Sequence, residues 1–401
     1  MVKRLLACLM AGLITMIALA GCGSTDGNSP QVTDKPSQLT DWPSQAVEEP
    51  SPTPDNTLPG DLDSVTPPVV GDAPAGKVGI LFPTKDEGTW EKEAKIIKEE
   101  LEAAGYTVQL HFAQNDDHSQ VMEIEAMVSE KYNLLIVAAV DGSVLSGVMD
   151  QAKEAGIAVI SYRTLINNTD AVSYYVGFND YAAGEKQGEY ICSMLDLDCN
   201  DGPFTLEITS GDPGSSSARQ FFDGAVDRLR PYIDEGKLVV KSGQIDFKET
   251  AMPEEAKEAA EVRMQCILDS FYPDGSVPDA LLCSSDNVSS GVIGAIQEHS
   301  PDARPVITGF GCKIDNLRYI DQGRQSMSVF YPSFDLAAKA AETAKTVLRG
   351  EEVSPVDENL FDNGYKVVPT VLCDPIVITR DNFFDIMVEQ GYFAAEDFQT
   401  E

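Results

Sequence analysis

From Lys77 onward the apolar positions fall into short blocks whose spacing switches between two periods. Val78 to Phe82 is a continuous apolar run closed by Pro83, which predicts a buried strand. Trp90, Ala94, Ile97, Leu101 and Ala104 then recur three and four residues apart, with Glu and Lys between them, and predict an amphipathic helix stopped by Gly105. Val108, Leu110 and Phe112 alternate as a strand, Val121, Ile124 and Val128 mark a helix, and Leu134 to Val140 is a further apolar strand. Leu145, Val148 and Ala152 give a helix ended by Gly156, followed by a strand at Ala158–Tyr162 and another at Tyr174–Phe178.

The alternation resumes beyond this point. Helices are predicted near 182–194, 218–229, 253–270, 288–297 and 334–348, and strands near 204–209, 238–241, 280–284, 306–309 and 327–330. Strand and helix alternating over short connections call for parallel sheets covered on both faces. The strands are too many for one sheet, so the pattern predicts an α/β protein with two Rossmann-like lobes, each with a parallel central sheet. Ligands of such sheets bind beyond the carboxyl ends of the strands, which singles out the loops after Phe82, Val140, Tyr162, Thr209, Ser284, Gly309 and Phe330.

The N-terminal 76 residues read differently. Lys3 and Arg4 precede an apolar stretch from Leu5 to Ala20, and Leu19-Ala20-Gly21-Cys22 leads small residues directly to a cysteine. This is a secretory signal whose end resembles the bacterial lipobox, so residues 1–22 are expected to be a lipoprotein signal peptide with Cys22 as the lipidated first residue of the mature chain. Residues 23–76 hold ten of the 23 prolines and show no apolar periodicity, which predicts a disordered Pro/Ser/Asp-rich stalk. An extracytoplasmic protein tethered by lipid to the bacterial cell membrane is the expectation.

Charge narrows the field. The 401 residues carry 65 acidic and 29 basic side chains, a net charge of −36 that repels phosphate backbones, so no nucleic-acid partner is expected. Eight cysteines are too sparse for a disulfide scaffold, and the three histidines, His111, His118 and His299, fall in no predicted cleft loop. Neither a metal, a cofactor nor a catalytic constellation is expected, and therefore no enzyme.

Four ordered motifs then carry a resemblance: Phe82-Pro83-Thr84-Lys85, Val140-Asp141-Gly142-Ser143, Tyr174-Tyr175-Val176-Gly177-Phe178-Asn179 and Phe222-Asp223-Gly224-Ala225. With Lys237–Gly243 and Gly364–Pro369 they resemble the sugar-binding proteins of ATP-driven importers, the type I periplasmic-binding fold, in its multiple-sugar-binding, xylose-binding and ribose-binding branch. The resemblance implies two lobes joined by a three-strand hinge, with crossovers near Asn179, Gly311 and Tyr331. On that basis the N-terminal lobe comprises 77–178 plus 312–330 and the C-terminal lobe 179–311 plus 331–401. It further implies a monomer that captures a carbohydrate or sugar-like small molecule between the lobes and delivers it to the permease subunits of an ABC importer. The alternative is a sensing module that signals to a membrane receptor without transport.

The resemblance also nominates ligand residues. Trp90 stands where the family places a stacking ring, or is a core tryptophan capping the helix. Asp141 fits a hydroxyl acceptor or a helix cap. Arg219, five residues before Gly224, matches a ligand arginine or is a solvated helix residue. Asp286 lies in the family's ligand loop or again caps a helix. Tyr331, beside Phe330, offers a ring at the third crossover. The chain departs from the family at Arg163-Thr164, where Asp-Arg is usual, and at Gly311, where an aspartate is usual. Both departures add positive charge and suggest an acidic sugar such as a uronate, because guanidinium pairs bidentately with carboxylate, or a bulkier glycoside filling the space left by Gly311. Of the cysteines, Cys312 is the one expected to reach the cleft.

Overall fold

A computed structural model describes residues 76–398 apart from 86, 87, 355 and 358. The expected signal peptide with Cys22, and the expected stalk up to residue 75, lie outside the described residues.

The elements alternate as their periodicity dictates. In chain order they are β1 (Lys77–Phe82), α1 (Trp90–Ala103), β2 (Thr107–Phe112), α2 (Asp117–Ser129), β3 (Leu134–Val137), α3 (Ser146–Glu154), β4 (Ala158–Tyr162) and β5 (Val172–Phe178). There follow α4 (Asp180–Met194), β6 (Phe204–Ile208), α5 (Ser216–Asp234), β7 (Leu238–Val239), α6 (Lys257–Phe271), β8 (Ala280–Leu282), α7 (Asp286–His299) and β9 (Val306–Ile307). The last elements are α8 (Ile314–Asp321), β10 (Ser328–Phe330), α9 (Ser333–Leu348), β11 (Thr370–Cys373) and β12 (Ile376–Ile378), with a π-helical segment at Phe384–Glu389.

Two parallel sheets organise the lobes. The first has the order β11-β5-β4-β3-β1-β2 and the second β7-β6-β8-β9, while β10 and β12 form an antiparallel pair. Each large sheet is sandwiched. One face of the first packs Ile80, Ile136 and Ile160 against Ile97 and Leu101 of α1 and Leu336, Ala337 and Ala340 of α9. Its other face packs Leu135, Val137 and Val159 against Ile124 and Met127 of α2 and Val148, Met149 and Ala152 of α3. In the second lobe Leu206, Ile208 and Leu282 face α4 and α5, and Leu281, Cys283 and Ile307 face α6 and α7. Buried strands alternate which cluster they feed, as a period of two requires.

The chain passes between lobes at Asn179, at Tyr331–Pro332 and at Asp374–Pro375, where β11 hands over to β12. Near Gly311, where a crossover was expected, the chain does not change lobes. Residues 312–330 stay with the second lobe: β10 bridges from Val329 to Phe310, and Cys312, Leu317 and Ile320 share a cluster with Ile378 and Met387. Residues 331–373 return to the first lobe, because the small-residue face of α9 seats against α1 and β11 adds beside β5. The assignment of 312–330 to the N-terminal lobe, and of 331–373 to the C-terminal one, is therefore corrected.

Candidate functional site

Glu93 lies on the buried stripe of α1, together with Ala94, Ile97 and Leu101, and is fully enclosed. A carboxylate on an apolar stripe must find partners, since an unpaired buried charge is costly. Three donors meet it. Tyr162, at the carboxyl end of β4, donates its hydroxyl to Oε2 at 2.5 Å, Arg163 donates from Nη1 to Oε1 at 2.9 Å, and the Thr89 hydroxyl also donates to Oε1. Burial, and then the Glu93 charge, push the Tyr162 phenol well above its usual range, so it serves as a donor.

Arg163 is held from several sides. Its backbone is left-handed at φ 60°, a conformation that non-glycine residues adopt only when surroundings impose it, and its carbonyl accepts the Tyr175 hydroxyl at 2.8 Å. Its guanidinium carbon stands 4.1 Å from the centroid of the Trp90 ring. Trp90 meets Phe82 edge-on at 5.3 Å, and Phe82 stacks on Tyr162 at 5.1 Å. The carboxyl ends of β1 and β4 thus carry a row of three rings capped by a guanidinium whose side chain is 33% exposed. Of the residues nominated from sequence, Trp90 and Arg163 are brought into direct contact.

The others are engaged elsewhere. Asp141 is exposed and turns back on Ser143, accepting from its backbone N–H at 2.8 Å and its hydroxyl at 2.6 Å; these bonds hold its carboxyl below the usual range. These bonds close a turn and do not cap a helix, because α3 begins only at Ser146 and its N-cap, Leu145, has no side-chain cap bond. Arg219, in the first turns of α5, points its Nε at both carboxylate oxygens of Asp223, at 2.8 and 2.7 Å, and its guanidinium lies 5.4 Å from the Phe247 ring.

Asp286 does not face the cleft. It is fully buried, and its oxygens accept from the Lys313 backbone N–H at 2.8 Å, the Ser328 hydroxyl at 2.9 Å and Gln325 Nε2 at 3.1 Å. Burial raises its carboxyl pKa above the usual value against the pull of these bonds. The residue ties α7 to the loop after β9 and to β10, so the expectation of a ligand contact is corrected to a structural role. Tyr331 likewise gives its hydroxyl to Asp180 and its ring to Phe178 and Phe310, a hinge position and not an open stacking face. Cys312, expected to reach the cleft, is 1% exposed with its thiol against the Ser328 carbonyl. Gly311 is exposed at φ 116°, and a Cβ there would meet nothing within 4 Å, so its surroundings are open.

The second lobe offers polar groups that sequence reasoning passed over. Gln187 donates from Nε2 to the carbonyls of Cys283 and Gly309 at 3.0 and 2.7 Å, leaving Oε1 without a partner. Ser284 Oγ, just past β8, is also buried and unpartnered, and both side chains line a cavity of about 10 Å³ with Thr209, Ser210 and Phe221. That volume suits a single water. A groove of about 600 Å³ lies on the outer edge of β11 between Lys339, Glu342, Asp357 and Asp374, away from the Trp90 row.

Sequence reasoning missed Glu93 and Tyr162. The signal was available: Glu93 falls three residues after Trp90, on the same helical face as Ala94, Ile97 and Leu101. Glu93 thus places a carboxylate in direct contact with Arg163, a partner that the sequence reading of Arg163 did not include.

The comparisons agree with this architecture. The family model described as "Periplasmic binding protein domain" matches residues 78–352. The multiple sugar-binding periplasmic receptor ChvE of Rhizobium radiobacter is 34% identical over 331 residues, covering 82% of this chain and 93% of that protein. The D-xylose-binding periplasmic protein of Escherichia coli is 28% identical over 316 residues, covering 79% and 90%. Among solved structures, an ABC transporter solute-binding protein of Clostridium phytofermentans with bound β-D-glucose aligns at a TM-score of 0.65 with 40% identity, covering 80% of this chain and all of that one. With the family model spanning most of both lobes and relatives covered nearly end to end, the chain belongs to the periplasmic binding protein family.

Proposed function

We propose that this protein is an extracytoplasmic solute-binding protein that captures a sugar between its two lobes and delivers it to the permease subunits of an ABC importer. The observation that carries the reading is the contact between the Trp90 ring and the Arg163 guanidinium beyond the carboxyl ends of β1 and β4, where an aromatic ring meets a partly exposed N–H donor group. Sugars present that same duality, C–H faces for stacking and hydroxyls for hydrogen bonds. The glucose-bound relative at 40% identity supports a hexose as the first candidate. Function here is differential binding of open and closed lobes, with no covalent step. The signal sequence ending at Cys22 supports export and lipid anchoring.

Two experiments test the reading. A thermal-shift screen of neutral monosaccharides, followed by calorimetry, should find a sugar that raises the melting temperature through mass-action linkage and compacts the protein in solution scattering. A panel with no stabilising sugar overturns the assignment. Cys22→Ala should release the protein from the membrane fraction while leaving sugar binding intact; retention of the variant on membranes overturns the anchor.

A further inference from the structure

We propose that Glu93 is a specificity-determining positioning residue: it holds Arg163 against Trp90 as a charge-compensated donor, so that the site accepts a neutral hydroxylated ring and rejects its carboxylate counterpart. The inference rests on the sugar-binding reading and deepens it.

A guanidinium has five N–H donors in a fixed planar fork and no acceptor. In this site Nη1 is committed to Glu93, while the side chain keeps 33% of its surface exposed, so the remaining donors are available to a ligand. The Glu93 carboxylate itself is out of reach, fully buried behind the guanidinium with its oxygens accepting from Thr89, Tyr162 and Arg163. A ligand therefore meets N–H donors but no carboxylate acceptor from this pair.

Charge decides the class of ligand. An unopposed arginine prefers a carboxylate, which it binds bidentately. With Glu93 in contact, the pair is neutral as a whole, and an incoming carboxylate would face a second carboxylate across one guanidinium in a partly desolvated site. Like charges in such surroundings repel strongly because screening by water is poor. A neutral hydroxyl accepts from the same N–H groups without that repulsion. The left-handed backbone of Arg163, the Tyr175 hydroxyl on its carbonyl and the Trp90 ring fix the guanidinium, so it has no second position from which to meet an anion.

The test compares the affinities of D-glucose and D-galactose with those of D-glucuronate and D-galacturonate at neutral pH, by calorimetry on the full chain. The wild type is expected to favour the neutral member of at least one pair by tenfold or more. Glu93→Gln keeps the shape and removes the charge, and should shrink that ratio at least tenfold by gaining uronate affinity, with uronate binding weakened by added salt. Glu93→Asp should keep the wild-type preference. A folded Glu93→Gln variant with an unchanged ratio overturns the proposal, as does a wild type that prefers the uronate. The wild-type ratio needs no variant, so a Glu93→Gln chain that fails to fold leaves the proposal exposed to refutation. The double variant Glu93→Gln/Arg163→Met, again without a buried charge, should gain no uronate affinity; a gain there counts against it. Binding of none of the four sugars, or of any neutral monosaccharide, overturns the sugar reading as well, whereas glucose binding with an unchanged ratio overturns the Glu93 role alone.

Discussion

Phe178 and Tyr331 stack with ring centroids 4.2 Å apart and planes 9° from parallel, joining the last residue of β5 to the first residue after β10. Both rings sit where the chain changes lobes, so two crossovers are fastened to each other. Phe310 approaches the Tyr331 ring edge-on at 4.8 Å, and the Tyr331 hydroxyl donates to Asp180 at the start of α4. Burial, and then the Asp180 charge, hold the phenol far above its usual range, so it remains a donor across the working pH range.

Tyr331→Ala should therefore cost about 3–5 kcal/mol of stability, the range for truncating a buried aromatic ring, while Tyr331→Phe should cost about 1–2 kcal/mol by stranding the Asp180 bond. Urea unfolding of the two variants separates ring from hydroxyl. Equal small losses in both would show that the stack contributes nothing at the hinge.

The α1 face and the strand runs of both lobes were legible because hydrophobic period and burial are the same fact read twice. Roles of single acidic residues were less legible. Asp141 lies between a strand and a helix and Asp286 opens a helix just after a strand, places that suit a cap, a ligand contact or a buried tie. Only the third dimension shows that Asp141 turns to its own Ser143 while Asp286 reaches Lys313, Gln325 and Ser328 far along the chain. The route beyond Gly311 was misread for a similar reason. The strands β11 and β12 are four and three residues long, too short to carry a period, and their lobes are set by long-range pairing with β5 and β10.

Asp286 is the sharpest case of a carboxylate retained for structure. Asp286→Ala should destabilise the chain by about 3–5 kcal/mol, because it strands the Lys313 N–H, the Ser328 hydroxyl and the Gln325 amide in a buried site. Asp286→Asn should also destabilise, since its new N–H₂ faces donors instead of acceptors. Thermal melts of both, with sugar affinity measured on whichever stays folded, check this. A variant that keeps wild-type stability but loses sugar would restore the ligand role and sink the structural one.

The glycines of two helices make opposite predictions. A Cβ on Gly184 of α4 would lie 1.8 Å from the Phe221 carbonyl oxygen of α5, a backbone atom that cannot swing aside, whereas one on Gly147 of α3 would meet nothing within 4 Å. Alanine gains up to about 1 kcal/mol of helix propensity over glycine at either place. At Gly184 overpacking outweighs it, and Gly184→Ala should lose about 1–3 kcal/mol or more. Gly147→Ala should stabilise by about 0.5–1 kcal/mol. Matched denaturation curves that shift in the same direction would refute the close packing of α4 on α5.

Glu207 gives the pH prediction. It sits on β6 between Leu206 and Ile208, so the strand's alternation points it to the α6 side, where it is 1% exposed. Its Oε1 accepts from the Ser242 N–H and the Tyr272 hydroxyl, both at 3.1 Å, while Oε2 has no partner. The cations near it are differently engaged: Arg263 bonds Gln244 and the Ile208 carbonyl, and Lys241 stands 4.2 Å from the centroid of the Tyr272 ring. Burial, opposed by the bonds from Ser242 and Tyr272 and by the Arg263 charge, lifts the carboxyl above its ordinary 4.5. Between that value and the raised one the folded state holds a proton that the unfolded chain has released, so stability falls as pH rises through the window. Glu207→Gln cannot ionise and can keep both accepted bonds. Other carboxylates contribute slopes of either sign, but they are common to both chains and cancel in the difference. The variant's stability relative to wild type should therefore climb from pH 4 toward pH 7, read by urea titration at each pH. A difference that is flat, or that falls with pH, would mean that Glu207 is well paired as an anion and that its burial exacts no penalty.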